Sequence, residues 1–197
     1  TDPKDPLGAV FIEPIQGSKG VLCYRPEFMT ALRALADELN LPIIADEVLT
    51  SGGRTGKFFA FQHYEGFEPD FVTFGKGMQV NGVMSMNRRL PDITLPDGKK
   101  QYRSGPGSGV QLSGLTTGEG SPGDFHKAAE VLTALKDDKL IERAAEVGKK
   151  LETMLSAAQQ KAGKPNDVTV FGCLAGWTPT GYGAVRDTDG GMRRRLL

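Results

Sequence analysis

Two ionisable residues stand at the carboxyl ends of short apolar runs. Asp46 closes Ile43-Ile44-Ala45-Asp46, and Lys76 follows Phe71-Val72-Thr73-Phe74-Gly75. Open α/β sheets hold their ligand sites beyond that edge of the strands. A lysine amine in a desolvated site there has a lowered pKa and attacks an aldehyde to form a Schiff base. A carboxylate buried there needs a cationic partner, and a protonated pyridine nitrogen would serve. The pair therefore predicts pyridoxal phosphate chemistry, in which the protonated ring accepts electrons from a substrate carbanion. Taken singly, each residue has a plainer reading. Lys76 reads equally as a surface lysine in a glycine turn, and Asp46 as a strand-end acid facing solvent or capping a helix. Glu47 should face the other way on the strand and is assigned no role.

Other candidates carry less. Gly118-Glu119-Gly120-Ser121-Pro122-Gly123 matches the dinucleotide fingerprint literally, but no strand precedes it and the βαβ context is missing. A nicotinamide enzyme built on it is a distant alternative. Thr116 and Thr117 lie on a glycine-rich approach to a helix start, where phosphate binds well, and where ordinary turn and cap residues also occur. His63 and His126 stand beside no serine or cysteine that would complete a triad. Cys23 and Cys173 read as two reduced thiols of a cytoplasmic protein. No zinc-ligand spacing joins them to the histidines, so no metal is expected.

The elements that position Asp46 and Lys76 follow from patterning. Residues 8–13 form an apolar run ending at Glu13-Pro14, a buried strand and then a turn. Pro26 suits a first helical position, and Phe28, Leu32, Leu35 and Leu39 line one face of the helix behind it. Residues 43–46 are the next strand, so 8–46 reads as a βαβ unit with a parallel pair. Strands follow at 71–75 and 82–86. Between the strands at 43–46 and 71–75, Phe58, Phe59, Phe61 and Tyr64 read as core. Residues 88–123 read as an extended loop. A helix runs from Pro122 to about 136, Asp137-Asp138-Lys139 marks a joint, and Leu140, Ala144, Val147, Leu151 and Met154 give a second helix one apolar face. Residues 168–174 look like one more strand.

The chain has 197 residues, 39% hydrophobic and 24% charged, with a formal net charge of zero. That is the make-up of a globular domain, and nothing in it favours nucleic acid or an anionic membrane. No apolar run approaches the ~20 residues of a membrane span, and the polar start is no secretory signal. There are 26 glycines, clustered at 52–56, 75–82 and 105–123, where backbone can approach a ligand closely. The chain begins without methionine and ends on Arg193-Arg194-Arg195-Leu196-Leu197; it is expected to be a piece of a longer protein.

In order, three motifs resemble the class III aminotransferases of the fold-type I pyridoxal phosphate enzymes. They are Phe11-Ile12-Glu13-Pro14-Ile15-Gln16-Gly17; Ala45-Asp46-Glu47-Val48 with Gly53-Arg54-Thr55-Gly56; and Pro69-Asp70-Phe71-Val72-Thr73-Phe74-Gly75-Lys76-Gly77. The stretch from Gly75 to Met84 is especially similar to lysine 6-aminotransferases. The resemblance is strong over 8–87, moderate over 115–160 and weak after 165. It implies that Lys76 forms the Schiff base and moves the substrate proton. It implies that Asp46 pairs with the ring nitrogen and that Val48 packs on the ring. Thr117 would bind the cofactor phosphate of a neighbouring subunit, and Arg195, or Arg194 in its place, a substrate carboxylate through a bidentate pair.

The implied fold class is α/β: part of the large domain over 1–138, then a connecting helix and an incomplete small domain over 139–197. The implied activity is amino-group transfer between an amino acid or amine and a 2-oxo acid, in a homodimer with a shared site. An aminomutase or decarboxylase shares fold and lysine. A split chain, inactive without a complementary chain, is the non-enzymatic alternative, because the family's first half with its main phosphate loop does not precede these motifs. Leu49 stands where the family usually has a glutamine near the ring hydroxyl. Ser18 stands where ornithine- and GABA-type members carry a gating glutamate.

Overall fold

The structure, a computed structural model, describes residues 7–86, 93–94, 100–101, 121–163 and 168–177. The chain enters strand β1 (Val10–Ile12) and a short antiparallel hairpin of β2 (Ile15–Gln16) and β3 (Leu22–Cys23). Helix α1 (Pro26–Glu38) follows, with proline at its start, where a missing N–H costs no helical bond. It leads into β4 (Ile43–Glu47), which pairs parallel with β1, Val10 opposite Ile43 and Ile12 opposite Ala45. The βαβ unit expected from residues 8–46 is present. Next comes β5 (Phe71–Phe74), parallel to β4, and β6 (Gly82–Ser85), antiparallel to β5. The sheet order is β1-β4-β5-β6, mixed and mainly parallel.

Alternation along β4 fixes which way each residue points. Ile43, Ala45 and Glu47 are buried, while Ile44 and Asp46 are half-buried on the opposite face. The buried face joins Ile12 and Val72 and packs on Met29 and Ala36 of α1, with Phe59, Phe61, Tyr64 and Phe67 completing the core. The aromatic cluster is thus core, as its composition suggests. Phe11, on the other face of edge strand β1, remains 62% exposed.

The face of α1 is rotated from the one the leucine spacing predicts. Leu35 and Leu39 are exposed, and the fully buried positions are Met29, Arg33 and Ala36. A buried ion pair accounts for the rotation. Arg33 Nη1 donates to Asp70 Oδ2 at 2.8 Å, Nη2 reaches Asp37 at 2.7 Å, and the same Asp70 oxygen accepts from Ile43 N at 2.7 Å. This network ties the helix to the amino ends of β4 and β5, so Asp46 and Lys76 leave the sheet together at its far edge.

Within the stretch read as a loop, β7 (Ile93–Thr94) and β8 (Lys100–Gln101) pair antiparallel. Helix α2 (Pro122–Asp137) and helix α3 (Leu140–Lys161) meet at Lys139, which takes a left-handed φ of 50° at the expected joint. Val147 and Met154 are exposed, unlike the rest of the predicted face. The helix seats on Gly148 instead, where an added Cβ would lie 2.6 Å from Gly172 O. Residues 168–174 are not one strand. Gly172, at φ 57°, turns the chain between β9 (Val168–Phe171) and β10 (Leu174–Trp177), an antiparallel hairpin.

Candidate active site

The β4–β5 register sets Asp46 directly opposite Thr73. Asp46 Oδ1 accepts hydrogen bonds from Val48 N at 3.0 Å and from Thr73 Oγ1 at 3.1 Å. Two donors on one oxygen fix the carboxylate's direction. The second oxygen has no hydrogen-bond partner among the described residues. A fixed, half-buried carboxylate with one free oxygen is the acceptor that a protonated pyridine nitrogen requires, so this donor and acceptor set fits the ring of pyridoxal phosphate.

Lys76 opens a 3-10 turn, Lys76–Met78, two residues beyond β5. Its φ of 44° is left-handed, a conformation that costs a non-glycine residue roughly 1–2 kcal/mol. Strain of this kind gathers at functional sites. Gly75 before it is buried, and a Cβ there would strike Asn81 Oδ1 and lie 3.3 Å from Val48 Cγ1. Only glycine lets the lysine turn come this close to Val48. Lys76 itself is exposed, so the desolvated surroundings expected from the sequence are not formed around it by the described residues. Asp46, Val48 and Lys76 are thus brought to one sheet edge. Thr117, Arg194 and Arg195 lie outside the described residues.

Glu47, given no role from sequence, is the residue that sequence reasoning missed. It is fully buried, and its carboxylate accepts from Thr50 Oγ1, from Ala60 N at 2.9 Å and from Phe61 N at 2.7 Å. Burial is the largest influence and pushes its pKa up; the hydrogen bonds from Thr50, Ala60 and Phe61 pull it down, and the Asp46 charge adds a smaller upward push. Glu47 thereby suspends the segment 48–61 under the sheet edge, including Val48 and Leu49. The signal was available: Glu47 is in phase with Ile43 and Ala45.

Leu49 lies over Gly17, whose Cβ position its side chain occupies. A leucine there gives no hydrogen bond to a ring hydroxyl, as its departure from the usual glutamine implies. Ser18 is exposed. His63 is half-buried, its Nε2 3.1 Å from Thr55 Oγ1 and its ring edge-on to Phe171 at 4.7 Å, a packing role. Burial, then the Lys57 charge, lowers its pKa. Cys23 and Cys173 form no disulfide among the described residues. Among the described residues no three metal-ligating side chains cluster, and no helix is long and apolar enough to cross a membrane.

Asp46 at the end of one parallel strand and Lys76 just beyond the next stand at the carboxyl edge of the sheet, where open α/β folds hold their ligands. Residues 2–185 match the family model for class-III aminotransferases, and the chain belongs to that family, whose members are pyridoxal-phosphate-dependent. The chain is 36% identical over 176 residues to the 5-aminovalerate aminotransferase DavT of Pseudomonas aeruginosa, an alignment of 87% of this chain and 37% of that protein. It is 35% identical to the 4-aminobutyrate aminotransferase GabT of Escherichia coli, with the same two coverages. Among solved structures, the lysine aminotransferase of M. tuberculosis superposes with a TM-score of 0.63 at 32% identity, over 82% of this chain and 35% of that one. The chain thus spans little more than a third of the length of these relatives. Their fold is the pyridoxal-phosphate transferase fold expected from the sequence.

Proposed function

We propose that this chain is the lysine-bearing part of a pyridoxal-phosphate-dependent aminotransferase that moves an amino group between an amino acid or amine and a 2-oxo acid. The observation that carries the reading is the Asp46 carboxylate, held by Val48 N and Thr73 Oγ1 with one oxygen free, on the strand beside the one that leads to Lys76. When bound, the cofactor supplies an aldehyde that takes up amino groups and a ring that accepts electrons released at the substrate carbon. Asp46 Oδ2 would accept a hydrogen bond from the protonated ring nitrogen, Lys76 Nζ would hold the cofactor and could take up and return the proton of the substrate carbon, and Val48 would cover one ring face and keep water from it. The names of the relatives, aminotransferases acting on 5-aminovalerate and 4-aminobutyrate, favour transamination over mutase or decarboxylase chemistry.

The rest of the reading rests on the family pattern. Thr117 binds the phosphate of a neighbouring copy in a homodimer, and Arg195 (or Arg194) a substrate carboxylate. Residues 1–138 belong to the large domain and 139–197 to the connecting helix and small domain, a division supported by the left-handed joint at Lys139. The exposed Phe11 on edge strand β1 supports further protein covering that face, from the same or a complementary chain. The cytoplasmic setting rests on the sequence pattern, two cysteines far apart in the chain.

Borohydride reduction of the cofactor-loaded protein tests the central assignment. Peptide mapping should find the pyridoxyl group on Lys76, and bound cofactor with Lys76 unlabelled would refute it. A half-reaction with an amino donor should leave the pyridoxamine form.

A further inference from the structure

Behind the lysine turn lies a cavity of about 370 Å³ that the proposed chemistry does not use. Its walls come from three places: the turn after β4, with Ser51, Gly52, Gly53 and Arg54; Gly77 next to the lysine; and Leu135, Leu140, Ala144 and Cys173 from the helices and the β9–β10 turn. Neither Asp46 nor Lys76 lines it. The volume falls in the range of small-molecule sites.

Its charge is one-sided. Among the described residues, Arg54 is the single ionised side chain in the wall, no acid faces it there, and no salt bridge to it forms. Opposite it, Leu135, Leu140 and Ala144 make an apolar wall. A guanidinium with free donors pairs best with a planar carboxylate, and the apolar wall suits an alkyl chain.

We propose that this cavity is a second binding site, distinct from the cofactor site, for a short-chain aliphatic carboxylate. The carboxylate sits on Arg54, and the chain lies along Leu135, Leu140 and Ala144. The site adjoins the lysine turn through Gly77, where an added Cβ would lie 3.5 Å from the Arg54 guanidinium. Occupancy is thereby placed one residue from Lys76.

Cys173, exposed in the wall, reports on the site without any need for activity. The full chain is alkylated with iodoacetamide, which is neutral and so indifferent to the Arg54 charge, and the Cys173 peptide is quantified by mass spectrometry. Hexanoate is the probe, with hexanamide and inorganic phosphate in parallel. A ligand of this size should bind at about millimolar strength. Roughly ten times that concentration fills nine-tenths of the sites and slows Cys173 labelling about tenfold. Arg54→Met should abolish the protection, Arg54→Lys should restore part of it, and Lys76→Ala should leave it intact. Equal protection by hexanamide, protection by phosphate alone, no protection, or loss of protection in Lys76→Ala would each overturn the assignment. None of these readouts depends on cofactor binding, so the proposal and the transaminase reading fail separately.

Discussion

Replacing Glu47 by glutamine tests whether the buried carboxylate holds the segment under the sheet edge. In the native site one oxygen of Glu47 accepts from Thr50 Oγ1 and Ala60 N, and the other from Phe61 N. A glutamine has one acceptor oxygen. With it turned toward Thr50 and Ala60, its amide NH2 meets the Phe61 N–H; turned the other way, it meets the Ala60 N–H. Either way one fully buried backbone donor loses its acceptor, a loss of about 1–3 kcal/mol. At acidic pH the protonated Glu47 turns its O–H to Thr50 Oγ1 and still accepts from Ala60 N and Phe61 N, so Glu47→Gln should lower the unfolding free energy there by about 2 kcal/mol. With a urea m-value near 2 kcal/mol/M, the midpoint falls by about 1 M. The pH dependence supplies a second check. Burial raises the folded-state pKa of Glu47 above the ordinary 4.5. The folded protein then binds the proton more tightly than the unfolded chain, so wild-type stability falls as pH rises from 4.5 through the folded pKa. Glu47→Gln lacks that titration, so the gap between the two proteins should narrow across the window. Urea melts followed by circular dichroism at several pH values measure both effects. A gap that widens with pH, or a midpoint unchanged at every pH, would refute the account.

Three further expectations follow from the same geometry. Arg33→Met leaves Asp70 buried beside Ile43 N without its guanidinium, and should cost about 3–5 kcal/mol in a urea melt; a loss below about 1 kcal/mol would mean the pair is solvated. Gly148→Ala places a Cβ 2.6 Å from Gly172 O, backbone against backbone, and should destabilise by about 1–3 kcal/mol despite alanine's better helix propensity; a more stable variant would show that α3 does not seat there. The His63 ring should titrate below 6.5 by NMR, so stability contributed by its neutral form is lost as pH falls from 6.5 through the folded value; a titration above 6.5 would place the ring in solvent or beside an acid.

The sequence made strands and chemistry legible wherever the period was clean. Ile43-Ile44-Ala45-Asp46 and Phe71-Val72-Thr73-Phe74 are strands because β-branched and aromatic runs bounded by proline and glycine have few other folds. The parallel pairing of β1 with β4 follows from the helix between 26 and 38. The faces of the helices were less legible. Leucine spacing chose Leu35 and Leu39, but the pair between Arg33 and Asp70, 37 residues apart, turned α1 the other way. No local window contains that partner. In α3 a glycine, not the apolar stripe, marked the contact: Gly148 is where two backbones meet. The hairpin at Gly172 was hidden because one left-handed residue divides an otherwise continuous apolar run.

The adjacent acids Asp46 and Glu47 show why the site could be read only in part. A strand sends neighbouring side chains to opposite faces, so two like residues acquire unlike environments. Glu47 points into the core, and all its acceptors are taken by the segment it carries. Asp46 points away, is steadied by the first residue of that same segment and by Thr73, and keeps one oxygen free. The segment from Val48 to Phe61 therefore hangs from both carboxylates at once. Movement at Ala60 or Phe61 must pull on Glu47, and through the shared strand end on the Val48 N–H that aims Asp46. Local pattern placed Asp46 at the strand end, but its aim depends on donors thirteen and fourteen residues beyond Glu47. The precision of this edge is thus a property of the loop's closure onto Glu47, a long-range contact that no spacing between Asp46 and Lys76 encodes.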